Sequence, residues 1–543
     1  MKLHFYILLA IANFSNPILG VGQRDTVKDL DKVDIDTKYR PVLSDARRIE
    51  SAPEMKDPEI SVLNLNYTFP DLRYKVNPAF TSIPSQDYRS SAKPLLPNNF
   101  IKAGFGNYTT PLFHLELHNG KNKNYSYGLT ARHLSSIAKP APKSFIDDNL
   151  LIHGSKNMNG NLLSAQMSYA RYGFHYYGYN HELDTFTKDS ARQAFHTMNA
   201  NIHYDNSKTS RKLKTGFDID FYRFSSRIQN EIGYKASNKT GGKIGPGEFY
   251  LHTAFEGFVS GPDTLTYSRN FIDFNPVYKM HYKSVDLTMG MFGSIFLDSG
   301  TAPAKYYVNP EFKLDYYVVP DKMRAYVGLR GELIKGSNKT LYTENNFLAR
   351  NQNLKNTYSP YVIFGGLKGK LNASFDYFLE LSQQATTNLP LYLTDTFKLR
   401  NFIIDYEDAG LFKFKAGLNY NRFEKIKIAS TFTYFAYTNL SVSHAFQRPD
   451  FEWNTFVYAK LGTKLSIQSS IYVIGNRYAR VYMEEESEKL PIIADLNLSS
   501  NYQLNKKLSF FIALNNLANQ TYQRWFNYPT YGLNGVAGAS FKF

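Results

Sequence analysis

The sequence predicts an all-β protein, a transmembrane antiparallel β-barrel of about 22 strands, with 20 strands as the alternative. Alternating apolar and polar residues recur about every 20 residues from Phe100 onward, as in membrane-spanning barrel strands. Short turns alternate with longer connections, and the last run is amphipathic and ends on an aromatic residue. The residues that share its apolar face are Ala537, Ala539, Phe541 and Phe543. Residues 100–543 are therefore assigned to the barrel.

The predicted strand at residues 215–223 shows the two faces most clearly. One face carries Phe217, Ile219 and Phe221, and the other carries Asp218 and Asp220. Carboxylates are costly against lipid, whereas they are tolerated in a wet barrel interior. We therefore expect Asp218 and Asp220 to face the lumen.

The connections predict the orientation of the barrel. Short turns are expected near residues 281–284, 319–322, 367–370, 422–425 and 461–464. Long connections are expected over residues 138–161, 225–247, 336–358, 386–409 and 477–489. Short periplasmic turns and long extracellular loops are typical of outer-membrane barrels. The region from Leu251 to Phe274 has the weakest strand signal, which is why 20 strands remain an alternative.

The amino-terminal region differs from the barrel. Residues 1–22 resemble a secretory signal peptide, with Lys2 before an apolar stretch and small residues at the predicted cleavage site. Residues 23–99 alternate in charge and then carry a series of prolines from Pro41 to Pro97. This composition disfavours a packed domain. We expect a periplasmic or lumen-lining extension.

The amino-acid composition indicates which classes of partner to expect. The chain has no Cys and carries 42 Tyr and 41 Phe, which suits strands and interfacial aromatic girdles. Its formal charge of +16 comes from Lys and Arg scattered through turns, so nucleic acid is not an expected partner. Basic turns that lie beside anionic lipid headgroups explain the charge. A selective pathway for anions is the alternative. Outer-membrane lipid and lipopolysaccharide are expected partners, and the acidic loop at residues 484–488 suits a solvated tip or divalent-cation bridging to lipopolysaccharide.

No residue pattern predicts an enzyme, a cofactor or a metal site. His133 and Ser135 share one strand face, as a histidine base and a serine nucleophile would. Such a pair needs a third, orienting group, and the sequence does not identify one. His175, His181 and Glu182 are potential metal ligands whose spacing crosses a predicted strand end. Structural polar residues are the favoured interpretation of both sets.

Two segments resemble the barrel of TonB-dependent outer-membrane receptors, particularly those of Bacteroidota. Residues 100–136 look like the first three strands. Within the carboxyl-terminal stretch 490–543, residues 514–543 are similar to the family's closing hairpin, above all from Leu514 to Tyr522. The resemblance implies a location in the bacterial outer membrane and a role in transport. Independently of that family, a final Phe543 with Phe541 two residues before it resembles the signal read by the outer-membrane assembly machinery.

The departure from that family lies at the amino terminus. Family members carry a folded plug and a short sequence for an energy-transducing partner, and residues 23–99 match neither. The sequence therefore predicts a plugless barrel that transports an unidentified ligand or serves as a barrel subunit of an envelope complex with another protein. A passive diffusion channel and a barrel-embedded hydrolase are the alternatives.

Overall fold

The barrel strands alternate in direction along the chain. The computed structural model describes residues 99–119, 124–137, 143–182, 187–209, 212–261, 267–395, 401–423, 425–483 and 485–543. The predicted signal peptide and nearly all of the predicted extension lie outside these residues. The strands are β1 (Phe100–Gly106), β2 (Thr110–His118), β3 (Tyr125–Ser136), β4 (Phe145–Met158), β5 (Asn161–His175), β6 (Arg192–Asp205), β7 (Lys214–Ser225), β8 (Asn230–Ile244), β9 (Gly247–Ser260), β10 (Tyr267–Tyr282), β11 (Val285–Asp298), β12 (Thr301–Val319), β13 (Met323–Ile334), β14 (Thr357–Asn372), β15 (Phe375–Thr394), β16 (Phe402–Arg422), β17 (Ile426–Thr438), β18 (Phe451–Leu461), β19 (Leu465–Ile474), β20 (Arg477–Arg480), β21 (Ser487–Leu490), β22 (Ile493–Gln503), β23 (Leu508–Asn515), β24 (Gln523–Trp525), β25 (Tyr528–Pro529) and β26 (Asn534–Lys542). Among the described residues the helices are α1 (Lys188–Ala191) and α2 (Asn338–Glu344), both of them short.

One closed sheet of 22 antiparallel strands forms the barrel, while β20–β21 and β24–β25 are small hairpins outside it. The first and last strands close the sheet, with Ala103 paired to Ala539 and the backbone N–H of Phe543 donating to the Asn99 carbonyl at 2.9 Å. Both β9 and β10 are present where the sequence signal was weakest. The prediction of a 22-stranded barrel is confirmed.

The two rims differ in the length of their connections. The rim that holds the chain end carries tight turns such as 159–160, 245–246, 283–284 and 373–374. The opposite rim carries the connections 335–356, 475–492 and 516–533. This asymmetry places short turns on the periplasmic side and long loops outside the cell.

The barrel is apolar on its outer face. On β7, the side chains of Phe217, Ile219 and Phe221 are 37%, 42% and 46% exposed, and Ile219 pairs with the apolar residues Ile202 and Ala236 of the neighbouring strands. Because a closed barrel satisfies its backbone hydrogen bonds internally, such a surface can lie against lipid. The protein is an outer-membrane barrel. Across the residues that the structure describes, no helix is long and apolar enough to span a bilayer.

Several predicted connections are wrong. The expected turn at 367–370 lies within β14, and the chain turns at 373–374 instead. The expected long connections at 138–161, 225–247 and 386–409 contain β4, β8 and the outer ends of β15 and β16. Some of their polar residues face the interior, as Glu231 and Lys235 do on β8. Lys368 on β14 does the same and lies 3.7 Å from Asp315. A strand whose inner face is polar therefore has a sequence pattern similar to that of a loop.

A lysine introduced at mid-strand should have different effects on stability on the two faces of the sheet around β7. We expect Ile219→Lys to lower the free energy of unfolding by about 2–4 kcal/mol, because an ammonium group then enters lipid. The matched variant Ser237→Lys adds the same charge on the opposite face, directly across from Asp218. It should change stability by less than about 1 kcal/mol. Urea unfolding of both variants in phospholipid vesicles measures the difference, and equal losses would contradict the assignment of the faces.

Candidate functional site: the closed barrel mouth

The connection between β13 and β14 folds over the extracellular end of the barrel. It contains α2, whose Leu341 and Tyr342 are buried. These side chains join a single apolar cluster that we call the mouth cluster. Its buried members are Phe174, Tyr176, Phe195, Phe224, Leu341, Tyr342, Leu348, Tyr392, Phe402, Trp525 and Tyr528.

The mouth cluster joins almost opposite walls of the barrel. Its strand residues come from β5–β7 on one side and from β15–β16 on the other, about half the circumference apart in a 22-stranded sheet. Stacked rings of Phe347 and Tyr528 link the two long connections, with centroids 3.7 Å apart. On the flanks, Tyr342 lies 5.7 Å from Phe195, and Trp525 lies 5.0 Å from the ring of Tyr392. The extracellular opening is therefore bridged by packed aromatic rings.

The start of α2 is held by a carboxylate on the barrel wall. The hydroxyl of Ser337 caps the helix by accepting the Thr340 N–H at 3.1 Å. Glu231, at the outer end of β8, accepts the N–H groups of Asn338 and Lys339 at 2.7 and 3.1 Å. Glu231 is 1% exposed. A negative charge at this helix end satisfies unpaired N–H groups and complements the helix dipole.

Basic residues fix both ends of the same connection. Lys335 lies 2.8 Å from Glu256 and 2.6 Å from Asp273, which belong to β9 and β10. The guanidinium of Arg269 donates to the Gly336 carbonyl and, at 2.7 Å, to the Asn356 side chain. These charge-assisted contacts tie the loop to a wall several strands away from β13.

The carboxyl-terminal connection 516–533 is fixed through backbone carbonyls. The buried guanidinium of Arg477 donates to the carbonyls of Arg524 and Gln523 at 2.6 and 2.9 Å. The Tyr531 hydroxyl donates to the Lys143 carbonyl. Burial raises the pKa of the Tyr531 hydroxyl, and it raises the pKa of Tyr528 well above the ordinary value. Both hydroxyls are therefore neutral groups that pack without charge.

Asp218 and Asp220 lie opposite the apolar face of β7. Asp218 contacts His203 at 2.6 Å, and Asp220 accepts a hydrogen bond from Asn201 at 2.7 Å. The register runs from Asp220 through β8 to Glu256, the residue that Lys335 reaches from the inside. Both carboxylates therefore share the face that the mouth connection contacts. A function for them stays a prediction.

Phe541 and Phe543 lie at the end of β26. Their side chains are 43% and 55% exposed, and their rings stack with centroids 6.4 Å apart. They point to the same side as the other apolar residues of the strand. Recognition of these rings by assembly machinery stays a prediction.

The histidines that the sequence suggested as metal ligands or as a catalytic base differ in their contacts. His175 and His181 contact backbone carbonyls of Ser144 and Tyr177. No group of three potential metal ligands occurs among the residues that the structure describes. His133 is different, because its ring joins Ser135 to an aspartate, Asp148, which sequence reasoning missed. The pairing of β3 with β4 brings that residue into place, and a strand register predicted from the long alternating runs is the signal that would have found it.

Comparisons with known proteins find the fold and no sequence relative. No protein-family model matches the chain, and no curated protein matches its sequence. The FrpB iron transporter of Neisseria meningitidis is similar with a TM-score of 0.64 at 9% identity, covering 82% of this chain and 81% of its own. The ferric-catecholate import receptor Fiu of Escherichia coli K12 gives 0.61 at 10% identity, with 82% of each chain covered.

Two further structures share the architecture. The pyoverdine receptor FpvA of Pseudomonas aeruginosa gives a TM-score of 0.60 at 11% identity, covering 82% of this chain and 78% of its own. The copper transporter OprC gives 0.61 at 10% identity, covering 82% and 80%. At these identities the shared property is the fold. The barrel implied by the resemblance to TonB-dependent receptors is confirmed, whereas the Bacteroidota type and the missing plug stay predictions.

Removal of the carboxylate at α2 should loosen the mouth. Glu231→Gln replaces the acceptor of two backbone N–H groups, which weakens docking of the connection by about 1–3 kcal/mol. We expect faster amide hydrogen exchange across residues 336–356 without loss of the barrel. The control Glu380→Gln removes a wall carboxylate that accepts from Tyr326 at 2.9 Å and does not contact α2. Equal exchange in both variants would contradict this role of Glu231.

Proposed function

We propose that this protein transports a ligand across the outer membrane through its lumen, and that the connections 335–356 and 516–533 form its extracellular gate. The observation that carries the proposal is the mouth cluster, which joins nearly opposite walls of the barrel. A barrel of this size needs a closure, because an open bore would leak. A closure made of two connections can open when either one moves, which suits gated passage better than a permanently open diffusion channel.

The charges of the inner wall support passage of a polar ligand. On β11–β14, Asp315 contacts Lys313 at 2.6 Å, Arg324 at 3.4 Å and Lys368 at 3.7 Å. Asp286 contacts the same Arg324 at 3.3 Å. Charges of both signs therefore line the inner wall, which suits a polar or charged ligand. The solved structures with this fold include proteins described as iron and copper transporters, which is consistent with transport and identifies no ligand for this chain.

Opening the mouth should turn a silent barrel into a conducting one. We expect the full-length protein to give little current in planar bilayers, and the double variant Phe347→Ala with Tyr528→Ala to give discrete openings, since the stacked pair links both connections. The control Tyr282→Ala with Phe423→Ala removes the same two ring types from turns on the other rim, where they are 63% and 81% exposed. It should stay silent.

Two results would count against the gate. Large steady currents through the unaltered protein would make it a passive channel. A silent double variant would place the barrier elsewhere. If the variant opens, its reversal potential in a KCl gradient reports whether the lumen selects anions or cations.

We propose residues 1–22 as a signal peptide and residues 23–99 as an extension that replaces a plug and lines the lumen or reaches into the periplasm. The composition of the segment supports this assignment, as described above. The partners we propose are outer-membrane lipid, lipopolysaccharide, the assembly machinery that reads Phe541 and Phe543, and another envelope protein. The alternative function, a barrel subunit of an envelope complex, depends on that last partner.

Deletion of the extension distinguishes its two positions. If residues 23–97 line the lumen, we expect their deletion to raise the single-channel conductance of the mouth-open double variant at least about twofold, because a large barrel left empty forms a wide aqueous channel. Unchanged conductance would place the segment in the periplasm. Purification of both forms from native membranes in mild detergent is the companion measurement. A stoichiometric protein that is lost with the extension would support the complex-subunit function.

A further inference from the structure

One row of side chains crosses five neighbouring strands on the barrel wall. The row runs in direct register from β2 to β6 and comprises Phe113, His133, Asp148, Arg171 and His196. Residues that pair directly across antiparallel strands lie on the same face of the sheet. We call these residues the outer row.

The outer row faces lipid and not the lumen. Leu150 and Ile152 follow Asp148 at alternate positions on β4 and are 39% and 50% exposed. The chain neighbours of His133 and Asp148 point into the barrel, since Leu134 and Asp147 are 0% and 3% exposed. His133 lies close to the outer end of β3 and Asp148 close to the outer start of β4. The row is therefore at the extracellular edge of the apolar belt, where headgroups meet acyl chains.

Ser135 lies beside the outer row, at the next outward position after His133 on β3, and it is connected through His133 to Asp148. His133 Nδ1 contacts Asp148 Oδ1 at 2.6 Å, and its Nε2 contacts Ser135 Oγ at 3.1 Å. With Nδ1 protonated, the ring donates to the carboxylate and accepts the hydroxyl proton of Ser135. This polarity is the one that activates a serine nucleophile, with the carboxylate fixing tautomer and orientation.

We propose that Ser135, His133 and Asp148 form a nucleophile site that hydrolyses acyl esters of amphiphiles in the outer leaflet. The position supports this substrate class, because an ester linkage lies at the boundary between headgroup and acyl chain. Phe113, 37% exposed, offers apolar surface beside His133. Arg171 lies 3.7 Å from Asp148 and brings a cation to a site that would receive anionic headgroups. The activity is separate from passage through the lumen.

The reaction balances with water as the second reactant. Ser135 Oγ attacks the ester carbonyl carbon while its proton moves to His133 Nε2. The carbon–oxygen bond to the leaving alcohol then breaks, and the alcohol takes that proton. Water next attacks the acyl-serine, gives its proton to the same nitrogen and releases the fatty acid as Ser135 regains its hydrogen. No metal ion or redox partner is needed for these steps.

A serine-reactive fluorophosphonate probe tests the nucleophile directly. We expect the full-length barrel in detergent micelles to be labelled at Ser135, as mapped by mass spectrometry, and Ser135→Ala to abolish the label. His133→Ala should slow labelling by about 100-fold or more, since a general base contributes at least that much. Fatty acid released from phosphatidylglycerol vesicles, or from purified lipopolysaccharide, should fall in the same two variants. The two lipid arms identify the source of the ester.

Matched variants make the result specific. Ser430 also has a hydrogen-bonded hydroxyl, 2.8 Å from Thr455, and Ser430→Ala should keep the label at Ser135. His203 contacts Asp218 at the same 2.6 Å on the inner face, and His203→Ala should likewise keep it. Heat-modified gel mobility shows that each variant retains its barrel. A folded barrel that is unlabelled at Ser135, or that releases fatty acid equally with and without Ser135, would overturn the proposal.

Discussion

The closing pair of strands is the constraint on which the rest of this structure depends. In hydrocarbon an unpaired backbone N–H or carbonyl costs several kcal/mol, so a sheet that spans a membrane cannot keep a free edge. Here β1 and β26 meet along their whole length, with Gly104 directly opposite Gly538. A Cβ on Gly104 would lie 2.7 Å from the Phe511 ring and one on Gly538 would lie 2.0 Å from the Ala103 carbonyl oxygen. The seam closes tightly because these positions carry no side chain.

Because the sheet is closed, every strand has one face toward lipid and one face toward the interior. Residues of one parity meet lipid, and residues of the other meet the interior, as Ile219 and Asp220 do on β7. The interior can therefore hold charge at every height, from Asp315 with its three cations to Lys335 between Glu256 and Asp273. A wide charged interior in turn requires a cover. The connections 335–356 and 516–533 form this cover. Their aromatic rings pack together across the opening, and this packing buries apolar surface that each connection would otherwise expose to water.

The sequence was sufficient for the barrel and insufficient for its contacts. Alternation with a period of two predicts strands and their faces, and on β7 it assigns Phe217 and Asp218 to opposite sides of the sheet. It fails where the inner face carries glycine or lysine, because β8 and the end of β14 then resemble loops. The mouth cluster depends on how residues 335–356 fold back across the barrel, and no local pattern encodes that path. Asp148 was missed for a related reason, since its proximity to His133 follows from the pairing of two strands.

The same alternation allows two sites to share a short stretch of wall without sharing residues. On β3, Leu134 points inward, whereas His133 and Ser135 point outward on either side of it. The inward residues connect to the packing that supports the mouth, through contacts of Leu134 and Phe145 with Tyr172. The outward residues contact one another and the lipid boundary. A movement of the mouth connections would therefore leave the geometry of the outer row intact, because the rigid backbone of paired strands separates the two. Transport through the lumen and chemistry at the lipid surface are compatible in one barrel for this structural reason.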